Sequence, residues 1–186
     1  MPNSLPRKVS CMNSNTEKNE DGPASEYQEN LNILRQIDFF SGLPLEATKV
    51  FAYLCIREKF KSGDFLFQQG EEDEQAYYII SGSARLLHMD DGQELDIRDC
   101  EEGEFLGRLA LMSTMSRLFS LRARTDMICL TITREKFTKA LEQFPDLMPK
   151  LIKVIVQNIY NWEKRFVDHR EKDCSDCLKE IGVSLV

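Results

Sequence analysis

Apolar positions along this chain follow three successive rhythms. From residue 31 they recur at helical spacing, as Leu31, Leu34 and Ile37, and then run into Phe39-Phe40. The stretch Asp38 to Pro44 ends that helix. A second short helix is predicted from about 44 to 55, with Leu45, Val50, Phe51 and Leu54 turned inward. Between 56 and 132 the rhythm shortens. Alternation is visible at Ala84-Arg85-Leu86 and at Leu121-Arg122-Ala123, and glycines at 63, 70 and 82 separate short runs of strand formers. Asp90-Asp91-Gly92 lies between two apolar strands and signals a hairpin. Helical spacing returns after Thr133, which suits an N-cap, runs to Leu141 and stops at Phe144-Pro145.

A last, long helix is predicted over 146–167. Met148, Ile152, Ile155, Ile159, Trp162 and Phe166 follow at steps of 4, 3, 4, 3 and 4, which is a heptad seam. Leu147, Leu151 and Val154 form a second stripe beside it. Two stripes predict two partners, one being the chain's own strands and the other a second copy, giving a homodimer through this helix. One wide face packed on its own domain is the alternative.

Short strands punctuated by glycine and bounded by helices predict an α+β fold. Its centre is an antiparallel β-roll of the double-stranded β-helix, or jelly-roll, type, flanked by N-terminal helices and the long C-terminal helix. Residues 1–28 are rich in Asn, Ser, Glu, Pro and Gly and read as a disordered tail. One domain follows at 29–167, then a polar C-terminal tail at 168–186.

Composition narrows the function classes. A net charge of −7 and a pI near 5.0 argue against a nucleic-acid-binding face. No stretch approaches the ~18 uninterrupted apolar residues of a membrane span. Arg7 and Lys8 are not followed by an apolar run, so no signal peptide is read, and a cytoplasmic protein is expected. Cys55 and Cys129 sit in apolar runs and read as core residues, with free thiols expected. Cys174 and Cys177 form a single CxxC pair, five positions beyond His169 at its first member. Its spacing permits a metal or redox site, but a single pair in a charged tail is read without one. Glu71-Glu72-Asp73-Glu74 reads as a solvated turn, because it lacks the alternating spacing of a calcium loop. No nucleophile–base–acid arrangement is visible, so no enzyme is expected.

The chemistry concentrates in 103–123. Gly103-Glu104-Phe105-Leu106-Gly107 reads as a turn and strand end, Arg108-Leu109-Ala110-Leu111 as one turn of helix, and the run through Ser116-Arg117-Leu118-Phe119 as a loop holding an arginine. Helix-start N–H groups with a guanidinium fork suit a phosphate. Together with the glycine framework of 60–86, this run resembles the cyclic-nucleotide-binding domain family. That family supplies the ligand-sensing half of catabolite-activator-type regulators and of kinase regulatory subunits. The resemblance covers roughly residues 31–167.

The resemblance implies a ligand set of Gly107, Arg108, Leu109, Ala110, Ser116, Arg117 and Leu118. Arg117 stands where the family's phosphate-binding arginine stands. Arg108 occupies the place of the ribose-binding glutamate, Ser116 that of a proline, and Leu118 and Phe119 those of small residues. Arg108 has no acceptor capacity, and losing a charged hydrogen bond costs about 1.5–3 kcal/mol, or one to two decades of affinity. The implied ligand is a cyclic nucleotide (cAMP- or cGMP-like) or another phosphate-bearing molecule, with no other cofactor and no metal. The catabolite-activator type continues into a helix-turn-helix of roughly 60 residues, whereas 20 residues follow Phe166. The expectation is a stand-alone sensor that signals to an unknown protein partner. The second reading is a scaffold that kept the fold and lost the ligand.

Overall fold

The computed structural model describes residues 23–168 apart from Asp91, and not the side chains at 23, 162 and 165–168. The first 22 residues, His169, the Cys174–Cys177 pair and the side chains of Trp162 and Phe166 therefore lie outside the described residues. Three helices open the chain: α1 (Pro23–Gln36), α2 (Asp38–Ser41) and α3 (Leu45–Leu54). Six strands follow: β1 (Ile56–Phe60), β2 (Phe65–Phe67), β3 (Gln75–Ser81), β4 (Ala84–Asp90), β5 (Gln93–Cys100) and β6 (Phe105–Leu106). A 3-10 turn (Arg108–Leu111) leads to β7 (Ser120–Ala123) and β8 (Met127–Thr133). Then come α4 (Arg134–Gln143), a 3-10 turn (Pro145–Leu147) and α5 (Met148–Asp168).

The strands form two four-stranded sheets, in the orders β1-β8-β3-β6 and β2-β7-β4-β5. Every pairing is antiparallel. This is the expected β-roll. Strand alternation explains why the first sheet is apolar on both faces. On β8, Met127 and Cys129 point between the sheets, with Tyr77, Ile79, Leu86 and Leu121. Leu130 and Ile132 point the other way, into a helical layer. That layer is built on phenylalanines. Phe39 meets Phe40 at 5.0 Å and Phe105 and Phe137 at 5.9 Å, and Phe51 meets Phe137 at 5.4 Å. Rings at these separations add about 0.5–1.5 kcal/mol per pair beyond their buried area. Since Phe105 opens the 103–123 segment, the helices clamp that segment from behind.

The sequence expectations need three corrections. First, α1 begins at Pro23, inside the stretch read as a tail. Arg57 on β1 draws the helix in: its guanidinium donates to Asn30 Oδ1 at 3.0 Å and to Glu29 Oε2 at 2.8 Å, and Tyr27 packs on the core. Polar residues without periodicity are helical here because a partner strand holds them. Second, Leu45 is not inward but exposed, in the first turn after Pro44. Third, the α5 seam divides. Leu147 and Leu151 are buried and Ile155 packs on the helical core, while Met148, Ile152 and Ile159 are exposed beside Val156 and Tyr160.

Other expectations hold. Thr133 caps α4 by accepting from the Lys136 N–H. Cys55 and Cys129, like Cys100, are buried free thiols, and burial pushes each up to about 12, so they stay protonated near neutrality.

Gly63, Gly70 and Gly82 all take positive φ. They are not equivalent. At Gly82, with φ +88, an added Cβ would lie 2.6 Å from the Asp126 carbonyl oxygen and 2.7 Å from Met127 Cβ, whereas at Gly63 it would meet nothing within 4 Å. Gly82→Ala should therefore destabilise by more than the ~1–3 kcal/mol of left-handed strain alone, and Gly63→Ala by no more than that strain. Urea unfolding of the two variants checks the order. Equal losses would show that the close approach at Gly82 relaxes freely.

Candidate functional site

The site begins where β6 ends. Gly107 is left-handed, with φ +82, and turns the chain straight into the 3-10 turn, whose Ala110 N–H donates to the Gly107 carbonyl at 3.0 Å. Only glycine fits here for a second reason. A Cβ on residue 107 would lie 2.7 Å from the Gln75 carbonyl oxygen and 2.9 Å from Arg117 Nη2. The backbone at Gly107 is the floor on which the Arg117 guanidinium rests.

Arg117 is buried, 6% exposed. A charge so placed needs partners on every side. Nη2 donates to Asp73 Oδ2 and to the Gln75 carbonyl, both at 2.6 Å, and Nε donates to the same Oδ2 at 3.2 Å. The guanidinium carbon stands 4.1 Å from the centre of the Phe67 ring, a cation–π contact. Tyr77 completes the shell, its single hydroxyl proton shared between Asp73 Oδ2 at 3.2 Å and the Leu66 carbonyl at 3.1 Å. Burial, and after it the Asp73 charge, holds the Tyr77 phenol well above its usual range, so it remains a donor. The backbones are laced too. Arg117 N–H donates to the Glu71 carbonyl and Gly70 N–H to the Arg117 carbonyl, each at 2.8 Å. Arg117 Nη1 makes no hydrogen bond among the described residues.

Arg117 lines a cavity of about 200 Å³, together with Phe67, Leu109, Met115, Ser116, Leu118 and Phe119. Thus Leu109, Ser116, Arg117 and Leu118 come together as the sequence suggests, with Gly107 beneath them. Ala110 is fully buried and serves packing. Phe119 narrows the cavity and stands edge-on to His88, ring centres 5.7 Å apart.

Arg108 does not join them. Its side chain lines a different groove, behind the 3-10 turn, with Asp38, Glu104, Asn158 and Asn161. The expectation that two arginines share one pocket is therefore corrected: a 3-10 turn points successive side chains about a third of a circle apart, so 108 and 109 face different ways.

Asp73 is the residue that the sequence reading missed. The solvated-turn reading holds for Glu71 and Glu72, which are exposed. It fails for Asp73, whose side chain is 12% exposed and whose carboxylate neutralises Arg117.

Residues 57–144 match the model of the family described as cyclic nucleotide-binding domain. Residues 57–144 carry the domain of that family. It is 30% identical over 120 residues to a cAMP-dependent protein kinase regulatory subunit of Blastocladiella emersonii, a match that covers 63% of this chain and 30% of that protein. The chain thus spans under a third of that relative's length. A solved cyclic nucleotide-binding-like protein from Brucella abortus is 28% identical, with TM-score 0.57 over 61% of this chain and 98% of that one. The N-terminal domain of a transcriptional regulator from Streptomyces coelicolor shares the fold, with TM-score 0.64, 20% identity, and coverage of 72% of this chain and 94% of that one. The family's domain is regulatory and not catalytic. Among the described residues no helix is long and apolar enough to cross a membrane.

Breaking a buried ion pair from one side strands the other charge. Arg117→Ala should destabilise the cyclic nucleotide-binding domain by about 3–5 kcal/mol. The Arg117→Ala/Asp73→Ala double variant should lose much less than the sum of its parts. A double-mutant cycle in urea measures this. Coupling at the level of an exposed pair, below ~0.5 kcal/mol, would show that water already screens the contact.

Proposed function

We propose that this chain is a cytoplasmic regulatory domain that senses a small phosphate-bearing ligand in the Arg117 cavity and signals to a protein partner. The observation that carries this reading is the orientation of Arg117. Asp73 and the Gln75 carbonyl hold the Nε–Nη2 side of the fork, Nη1 has no acceptor among the described residues, and Arg117 lines the cavity. A guanidinium fixed in this way presents donors to an oxyanion with its rotamer entropy already spent. Family membership supports the same chemistry.

Plain cyclic AMP and cyclic GMP fit poorly. The ribose 2′-hydroxyl has no carboxylate partner, because residue 108 is an arginine turned to another groove. The cavity of about 200 Å³ lies below the ~300–1,000 Å³ usual for such ligands. That size also favours the second reading, a scaffold of the same fold that binds no ligand. Titration calorimetry with a panel of cyclic and linear nucleotides decides between them. Cyclic AMP should bind no tighter than micromolar. Phe119→Ala should tighten any binding by opening the floor, and Arg117→Gln should weaken it about tenfold or more. Sub-micromolar cyclic AMP binding by the wild type would show that the ribose carboxylate is dispensable. Silence across the whole panel, in wild type and Phe119→Ala alike, would leave the scaffold reading in front.

The exposed face of α5 supports a homodimer. Met148, Ile152, Val156, Ile159 and Tyr160 lie together on the side turned away from the domain's own core. A two-fold pairing of these faces is the commonest way to cover such a stripe. Ile152→Asp with Ile159→Asp should give a monomer in light scattering, while Ile155→Asp, which strikes the domain's own core, should also lower stability. A wild-type monomer at micromolar concentration would rule the pairing out.

A further inference from the structure

The groove that holds Arg108 is larger than the Arg117 cavity, at about 460 Å³ against about 200 Å³. It runs between the α1–α2 junction, the turn from β5 to β6, and the middle of α5. Arg108 is its cation. A guanidinium carries five N–H donors, and buried donors are normally met. Here the protein meets few of them. Nη2 donates to the Phe105 carbonyl at a long 3.3 Å, and Nε is buried without a partner. Burial lowers the Arg108 pKa from the usual guanidinium value, against a smaller opposing effect from Asp38.

Neither carboxylate of the groove neutralises Arg108. Glu104 is committed elsewhere: Oε2 pairs with Arg98 Nη1 at 2.7 Å, and Oε1 accepts the Glu101 N–H at 2.8 Å. Asp38 acts only at longer range, for it makes no ion pair with Arg108 among the described residues. Three side-chain amides, Gln36, Asn158 and Asn161, line the same groove. They can donate to or accept from hydroxyl and carbonyl groups.

We propose that this groove is a second binding site, separate from the Arg117 cavity, for a small oxyanion held by the Arg108 fork and by the amides of Gln36, Asn158 and Asn161. Carboxylate and phosphate share the required chemistry, two coplanar oxygens for a guanidinium. Asp38 disfavours a highly charged ligand, so the fit is to a small, singly charged molecule with a neighbouring hydroxyl or carbonyl. Such a ligand would bridge α5 to the β-roll. The proposal does not rest on the reading of the Arg117 cavity.

Nuclear magnetic resonance on the full chain tests it, with lactate and inorganic phosphate as probes and sodium chloride at matched ionic strength as control. The side-chain amide resonances of Asn158 and Asn161 should shift and saturate with at least one probe, and the tighter probe names the head group. Arg108→Gln should weaken binding about tenfold or more. Arg108→Lys, which keeps the charge and loses the fork, should weaken it as well and serves if the glutamine variant does not fold. Shifts that never saturate with either probe overturn the site. So do shifts that chloride reproduces, or that survive both Arg108 variants.

Discussion

Burying one positive charge sets the terms for the middle of this molecule. Arg117 sits under the protein surface, where an unpaired guanidinium would be untenable. Asp73 supplies the counter-charge, the Gln75 carbonyl a further acceptor, and the Phe67 ring a face to lie against. Each partner constrains something else. Asp73 must be aimed inward, so the acidic turn after Gly70 is stitched to the Arg117 backbone by two hydrogen bonds. The Gln75 carbonyl must approach closely, so residue 107 has no room for a side chain. The glycine cassette of the cyclic nucleotide-binding domain is, in this chain, the consequence of a buried arginine that must be packed from below.

Arg108 is the opposite case, nine residues earlier in the chain. It lacks an ion-pair partner among the described residues, and the hydrogen bond from its side chain to the Phe105 carbonyl is long. One turn of 3-10 helix separates the two environments: the Gly107 side of the turn faces the β-roll and Arg117, and the Arg108 side chain faces α2 and α5. An arginine at this position therefore sets its charge on the helix side of the turn, where α5 passes.

Much of the fold was legible because its determinants are local. Positive φ at Gly63, Gly70 and Gly82 leaves a residue-type signature, Thr133 caps within three residues, and the α5 stripes follow the helix period. What escaped was non-local. Asp73 lies 44 residues from Arg117, and nothing in an acidic run says which member turns inward. The first turns of α1 are helical because Arg57, 28 residues beyond Glu29, binds them. Ile155 falls on the expected seam, yet the domain's own core reaches that far around the helix. Periodicity reports that a stripe is apolar, and the width of the surface beneath it decides how much is covered.

The same non-local logic ties the cassette to the C-terminal helices. Asp73 holds Arg117, and its neighbour Glu74 holds Arg134, the first residue of α4. Glu74 accepts from Arg134 Nη1 at 2.9 Å through its side chain and from the Arg134 N–H at 2.7 Å through its carbonyl. Arg134 then reaches back into the cassette, donating through Nε to the Ala110 carbonyl at 2.6 Å and through Nη1 to Thr114 Oγ1 at 2.8 Å. Two adjacent acidic residues thus grip two arginines, one in the wall of the 200 Å³ cavity and one at the root of the helices that lead to α5. The α4 root cannot yield alone, since Arg134 also closes the 3-10 turn and the loop after it. Cassette and helix root are therefore one mechanical unit, built from side chains that propensity alone would have left in solvent.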